Sequence, residues 1–430
     1  MSDSSTIPLG RAHVLASSIR RELWDAGVDH ELVTPVGRLR RFAPVVSDVS
    51  LLATVPAPDQ PRVLEAFSHL PSSRHVSARG PTWVTVVTDR GSITLHVAEH
   101  EVTGAALVWL TGSRAHVQQL AALAGREGLR FADARLFDRD NRVVETESEE
   151  ALYARLGLPC IAPELREGKD EIEAAREGRL PRLVTELHMR GDLHMHTTWS
   201  DGRDSSEQMV RASLALGYEY IAITDHSERA WSSRKLSVED VSAQRAEIEE
   251  LRPRYPTMRI LHGIEVDIMK DGTLDFDETV LAGFDIVLAS LHDHGGQSGE
   301  QLMERYLSAM RSPFVDVITH PAGRSPGQWD GYDLDYERLF AAAVETGTAM
   351  EIDGAPGHLD MDGAVARRAA AAGVTIVIDS DCHRAEWLRR QMRFGVGTAR
   401  RGWLEPHHVL NARPVQQVEQ FVARKRARGL

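Results

Sequence analysis

Asp192-Leu193-His194-Met195-His196, followed by Asp201, opens the stretch whose reading decides the fold. Two histidines separated by one apolar residue point the same way on an extended strand, so both can reach one ion. The pattern of an apolar run closed by an imidazole or a carboxylate then recurs. Thr224-Asp225-His226 follows Tyr220–Ile223, Gly263-Ile264-Glu265 follows Arg259–Leu261, and Ser290-Leu291-His292 follows Ile286–Ala289. Thr319-His320-Pro321 follows Val315–Ile318, and Ser380-Asp381-Cys382-His383 follows Val374–Ile378. Reactive groups placed repeatedly at strand ends predict one open rim lined by imidazoles and carboxylates.

Working outward, the region after Gly191 alternates strand and helix. Strands are expected at Asp192–His196, Tyr220–Thr224, Arg259–Val266, Asp285–Leu291, Val315–Thr319, Thr348–Ile352 and Val374–Asp379. Helical stretches fall between them, among them Ser206–Leu216, Val238–Leu251, Glu300–Met310, Tyr336–Thr346 and Ala364–Ala372. Such alternation predicts an α/β domain with a parallel sheet covered by helices. Because the polar groups converge from the whole length of the domain, a closed barrel of seven strands is expected, with its chemistry at the C-terminal strand ends.

The first part of the chain reads differently. Val14–Ala26 and Ala115–Gly125 have helical spacing, and Trp83–Val87 with Ile93–Val97 reads as a hairpin turning at Asp89-Arg90-Gly91. A smaller α+β domain is therefore expected over residues 1–158, a connector over 159–190 and the barrel over 191–430. The charge of −13 argues against a chain that coats nucleic acid by bulk electrostatics, though a local basic groove remains compatible with it. Two cysteines, Cys160 and Cys382, make no disulfide framework. Met1-Ser2-Asp3-Ser4-Ser5 lacks the marks of a signal peptide, and no apolar run approaches the ~20 residues that span a bilayer, so a cytoplasmic protein is expected.

Taken singly, each histidine reads as a packed or solvated side chain. Nine candidates at strand ends do not: His194, His196, Asp201, His226, Glu265, His292, His320, Asp381 and His383. Their donors are nitrogen and oxygen without a thiolate cluster, which suits Zn, Mn or Fe. Nine donors exceed the needs of one ion, so two or three divalent ions with a bridging carboxylate are expected. His262 and His294 read as packing or rim residues, Cys382 as apolar packing, and the basic Arg424-Lys425-Arg426-Ala427-Arg428 tail as a solvated helix end.

His-Met-His-Thr-Thr-Trp-Ser-Asp-Gly, Thr-Asp-His-Ser, Gly-Ile-Glu-Val-Asp-Ile, Ala-Ser-Leu-His, Thr-His-Pro-Ala-Gly-Arg and Asp-Ser-Asp-Cys-His together resemble the motifs of the PHP (polymerase and histidinol phosphatase) superfamily. That resemblance covers about Gly191 to Leu410 and implies a seven-stranded distorted barrel with a trinuclear metal centre. It implies that His194, His196, Glu265 and Asp381 hold one ion, Glu265, His292 and His320 a second, and Asp201, His226 and His383 a third. Clustered divalent ions supply hydroxide at neutral pH and neutralise a phosphoryl group, so phosphate-ester hydrolysis is expected, with Glu265 and Asp381 central to it. Arg305 and Arg324 are placed to grip phosphate oxygens.

Upstream, Pro163-Glu164-Leu165-Arg166-Glu167-Gly168, Thr111-Gly112-Ser113-Arg114-Ala115-His116 and Gly37-Arg38-Leu39-Arg40-Arg41 with Asp48-Val49-Ser50 resemble the palm–thumb region of bacterial family X DNA polymerases. The usual N-terminal DNA-binding helical domain is not expected before Arg11. Ser50 stands where that family's second carboxylate is expected and Thr94 where the third falls, so loss of nucleotidyl transfer is predicted. In the barrel, Asp353 stands where an asparagine is expected and His358 where an arginine is. Ser325-Pro326-Gly327-Gln328-Trp329 lacks the usual arginines, which weakens the case for a polymeric substrate.

Three functions compete. The first is a DNA 3′-end-processing phosphoesterase or 3′–5′ exonuclease. The second is a small-molecule phosphatase with a structural N-terminal region, and the third a non-catalytic DNA-repair accessory. The intact donor set speaks against the third, and the palm-like scaffold places the first ahead of the second.

Overall fold

The computed structural model describes residues 6–230 and 234–428, the side chain of Arg428 excepted. The Met1–Ser5 start therefore lies outside the described residues. The chain divides into two compact units after Leu180.

In the first unit, the amphipathic helix Leu9–Asp25 buries Leu9, Ala12, Leu15, Ala16, Ile19 and Leu23. A five-stranded sheet is ordered Val33–Val36, Val49–Thr54, Gly91–Ala98, Trp83–Thr88, His75–Gly80. Only Val49–Thr54 and Gly91–Ala98 pair parallel, with Ser50 opposite Thr94. The expected hairpin forms, closing Thr88 against Gly91. Helix Arg114–Arg126 starts where Ser113 accepts the His116 N–H through its side chain.

The stretch read from sequence as a partly helical connector holds a short helix at Glu171–Arg176 and is packed up to that point. Arg166 is fully buried and bonded to Glu149, while Glu171 accepts from buried His116 at 2.6 Å. A buried guanidinium and imidazole need such partners, and these fix the stretch within the first unit.

The second unit is built on seven parallel strands, each paired with the next in chain order. They are β1 (Gly191–Asp192), β2 (Tyr220–Ile223), β3 (Arg259–Asp267), β4 (Ile286–Ser290), β5 (Val317–Ile318), β6 (Ala349–Asp353) and β7 (Ile376–Asp379). Strands β1 and β5 are shorter than expected, because the chain leaves the ladder before His194 and before Thr319. The first and last strands meet mainly through side chains. The Asp379 carboxylate accepts the Leu193 N–H at 2.8 Å, and the Asn411 amide donates to Gly191 O at 3.1 Å and Ile378 O at 2.6 Å. These bonds stand in for a β ladder and bring the chain after β1 beside the chain after β7, where His196 donates its N–H to Cys382 O at 2.9 Å.

Period-two alternation sorts the strands into two cores. Ile221, Ile223, Ile264, Val287 and Ile352 pack outward under the helices. Tyr220, Ala222, Leu261, Ile286, Val317 and Val377 pack inward, against Val418 and Val422 of the last helix.

That last helix, Val415–Arg428, corrects the expectation of a solvated tail. Lys425 is 3% exposed and its ammonium donates to Met310 O at 2.9 Å and Thr348 Oγ1 at 2.7 Å. Arg426 donates to Phe284 O at 2.7 Å. The apolar stripe of this helix closes the barrel floor, so its basic residues reach strand and helix ends there.

Asp316, beside that floor, is fully buried and accepts the Val287 N–H at 2.9 Å. Burial pushes its carboxyl up to about 7, against the Val287 bond and the charges of Arg426 and Lys425. The folded state therefore keeps this proton to near pH 7, while the unfolded chain releases it near pH 4. Its contribution to stability is full below about pH 4 and is lost as the pH rises through 7. Asp316→Asn should flatten that decline by a few kcal/mol relative to the unmodified protein in urea titrations across this window. Identical pH profiles would count against a buried neutral carboxyl.

Candidate metal centre

The strand ends deliver all nine sequence-predicted donors to one cup. Glu265, near the end of β3 and fully buried, is its hub. His226 Nδ1 lies 2.7 Å from Glu265 Oε2, with His194 Nε2 and His196 Nε2 each at 3.6 Å. His320 Nε2 lies 3.0 Å from Oε1 and His292 Nε2 lies 3.5 Å from it. The remaining acids join the ring of imidazoles. Asp381 Oδ1 is 3.1 Å from His196 Nε2, and Asp201 Oδ1 is 3.2 Å from His383 Nε2 and 3.6 Å from His226 Nε2.

Three overlapping sets of ligand-capable atoms result: His194, His196 and Asp381; His196, Asp201, His226 and His383; and His226, Glu265 and His292. The groupings differ from those implied by resemblance: Glu265 is not in the first set, His196 joins Asp201, His226 and His383, and His226 takes the place of His320 beside Glu265 and His292. The His226 ring faces Asp201 through one nitrogen and Glu265 through the other, so it stands between two sets.

The donors fit divalent cations. His194 Nε2 and His196 Nε2 face one another at 3.1 Å. His226 Nδ1 and Glu265 Oε2 are buried with no hydrogen-bond partner despite their 2.7 Å separation, as are His196 Nδ1 and Asp201 Oδ1. Buried donor atoms left without a hydrogen-bond partner, such as His226 Nδ1 and Glu265 Oε2, suit a shared cation.

Electrostatics agree with this. Burial alone would raise the Glu265 carboxyl, yet His226, His292 and His194 hold it well below the ordinary carboxylate range. Asp201 is likewise lowered, against burial, by His383 and His226. Burial, with His226 and His383, pushes His196 down to about 3. His292 and His383 are both raised to about 9 against burial, the first by Glu265 and Asp267, the second by Asp381 and Asp201. A cation held by these nitrogens takes the place of their protons, so its binding releases protons and weakens as the pH falls.

Several positioning residues were missed from sequence. Glu351 accepts from His194 Nδ1 at 2.7 Å and from the His320 N–H at 2.8 Å, and Asp267 lies 2.5 Å from His292 Nδ1. Each fixes the ring that it touches so that the other nitrogen points into the cup. Asp225 accepts from Thr197 and Ser200 and from Gln244 Nε2 at 2.6 Å, and so holds the loop that leads to Asp201. An acid inside an otherwise apolar buried strand, as in Met350-Glu351-Ile352, is the sequence signal that could have found them.

Backbone geometry is strained at two of the candidates, His320 at φ 27° and Asp381 at φ 48°. Such residues persist where surrounding bonds over-determine them. Gly202 serves the same loop. A Cβ there would lie 2.5 Å from the carbonyl carbon and oxygen of His196. Gly202→Ala should therefore displace Asp201 and lower turnover about 10- to 100-fold with reduced metal content. Wild-type turnover would show that the loop yields freely.

The two arginines expected to grip phosphate are engaged elsewhere. Arg305 is 3% exposed and donates to Asp293 O at 2.8 Å, Gln297 Oε1 at 2.7 Å and Ile268 O. This corrects its role, because a guanidinium so used pins two rim loops together. Arg324 pairs with Asp362 at 3.1 Å, so gripping a phosphate would require that pair to open. A recess of about 330 Å³ on the same rim is lined by Arg229, Asp267, Lys270, Thr273, Asp293 and Arg305. His262 packs on Phe284 and bonds Gln244 at 3.0 Å, His294 lies at the rim, and Cys382 is buried in the outer core.

A family model of the PHP domain matches residues 192–354, and one of the DNA polymerase beta thumb matches residues 106–167. The chain is 36% identical over 422 residues to the Bacillus subtilis (strain 168) protein named DNA polymerase/3′-5′ exonuclease PolX, covering 97% of this chain and 73% of that one. The chain belongs to the PolX family. About half of this PolX-family chain is similar to proteins named probable phosphatases. One from Thermoanaerobacter sp. (strain X514) is 30% identical over 203 residues, 45% of this chain and 78% of that one. One from Shewanella oneidensis is 34% identical over 208 residues, 45% of this chain and 75% of that one. The PolX-family chain thus carries a PHP-type metal-dependent phosphoesterase domain behind a polymerase-like region.

Proposed function

We propose that the chain hydrolyses phosphate esters at the 3′ ends of DNA, by 3′-end processing or 3′–5′ exonuclease action, and no longer polymerises. The observation that carries hydrolysis is the nine-donor cup around Glu265. We assign two or three ions of the Zn, Mn or Fe class to it, held by His194, His196, Asp201, His226, Glu265, His292, His320, Asp381 and His383. Bound ions of this kind supply a hydroxide at neutral pH and neutralise phosphoryl charge. The chain's own part is to hold Glu265 and Asp201 ionised and to orient the rings of His194 and His292 through Glu351 and Asp267. Similarity to the PolX relative across both units supports a DNA substrate.

A second reading, a small-molecule phosphatase, is supported by the charge of −13, by the withdrawal of Arg305 and by the names of the relatives that match about half of the chain. One experiment separates them. Manganese-loaded protein is incubated with a 5′-labelled oligonucleotide carrying a 3′ phosphate and, in parallel, with small phosphomonoesters. Shortening of the oligonucleotide or release of its 3′ phosphate is expected. Turnover of phosphomonoesters alone would reverse the order of the two readings.

A further inference from the structure

A fourth set of donors lies beside the cup, and the assignments above leave two of its members unused. Asp353 closes β6 and is fully buried. Its Oδ1 accepts the Ala355 N–H at 2.6 Å, whereas Oδ2 is buried with no hydrogen-bond partner. Ligand-capable atoms of Asp353, His358 and Asp381 all lie within 4.8 Å of one another. Two carboxylates this close in a buried place repel unless a proton or a cation lies between them. His358 stands on the open side, its ring stacked on His320 at 5.5 Å between centroids and 25° between planes.

We propose that Asp353, His358 and Asp381 form a further divalent-cation subsite, sharing Asp381 with the cup and open to solvent through His358. The inference rests on the reading of the cup as a metal centre and adds a position to it. Two carboxylate oxygens and one imidazole nitrogen favour Mn, Fe or Zn over Mg or Ca. Three protein donors leave the remaining positions to water, so an ion there exchanges readily and can meet an oxygen of the substrate.

The test is calorimetric titration of the metal-stripped full chain with Mn²⁺, alongside Asp353→Asn and His358→Asn. Asparagine keeps the Ala355 bond of Asp353, and His358 lies at the surface where substitution does not threaten folding. The unmodified chain should take up one equivalent more than Asp353→Asn, with the tighter equivalents unchanged. His358→Asn should weaken that equivalent at least about tenfold. Crystals soaked in manganese should show anomalous scattering between the three side chains. Equal uptake by all three proteins would mean that the two carboxyls share a proton instead, overturning the subsite while the cup stands. No uptake by any of them would overturn both.

Discussion

Glu265→Gln is expected to abolish hydrolysis, with turnover falling at least about a thousandfold and metal content falling with it. Five imidazoles approach this one carboxylate, at separations from 2.7 to 3.6 Å. Glutamine has nearly the same shape, so the strand and its packing should survive, and circular dichroism should be unchanged. What disappears is the anion around which those rings are arranged. A neutral amide cannot bridge two cations, and its NH₂ group would face ring nitrogens that must stay free to donate electron pairs. Elemental analysis of the purified variant, read beside its turnover, makes the prediction specific. Unchanged turnover with unchanged metal would remove Glu265 from the centre of the site.

The second large effect lies in the first unit. Primer extension with dNTPs and Mg²⁺ is expected to give no product, at least about a thousandfold below any polymerase that uses two magnesium ions. Val49–Thr54 and Gly91–Ala98 run side by side with Ser50 opposite Thr94, the two positions at which the resemblance to family X polymerases leads one to expect carboxylates. Ser50 instead donates to Asp48 Oδ2 at 3.3 Å, and Thr94 shares a hydrogen bond with Thr85 at 2.8 Å. Two hydroxyls and one carboxylate do not supply the anionic oxygen ligands that a magnesium pair requires. Extension above background would mean that another acid completes the site on binding DNA.

How much of this was legible beforehand differs from residue to residue. The donors could be read because most of them follow a short apolar strand, and a parallel barrel puts such ends on one rim. Glu351 and Asp267 were not distinguished, since an acid that orients a histidine and an acid that binds an ion look alike until the ring between them is placed. Arg305 misled for the opposite reason. Its position on a helix near the rim was legible, but the loop carbonyls that take its donors come from residues 268 and 293, which only the fold brings to it. The basic tail misled in the same way, because the apolar stripe of Val418 and Val422 turns Lys425 into the barrel floor.

The sequence by itself determined the strand–helix alternation, the set of imidazoles and carboxylates that gather in the cup, and its lack of thiolates. These are local properties of residue type and spacing. Tertiary structure alone decided which donors share a point in space, which nitrogen of each histidine faces inward, and that His226 stands between two groups. It also placed Asp353 and His358 against Asp381. Those outcomes depend on contacts between strands tens to hundreds of residues apart, where electrostatic and hydrogen-bonding forces act over a few ångströms and sequence separation carries no information about distance.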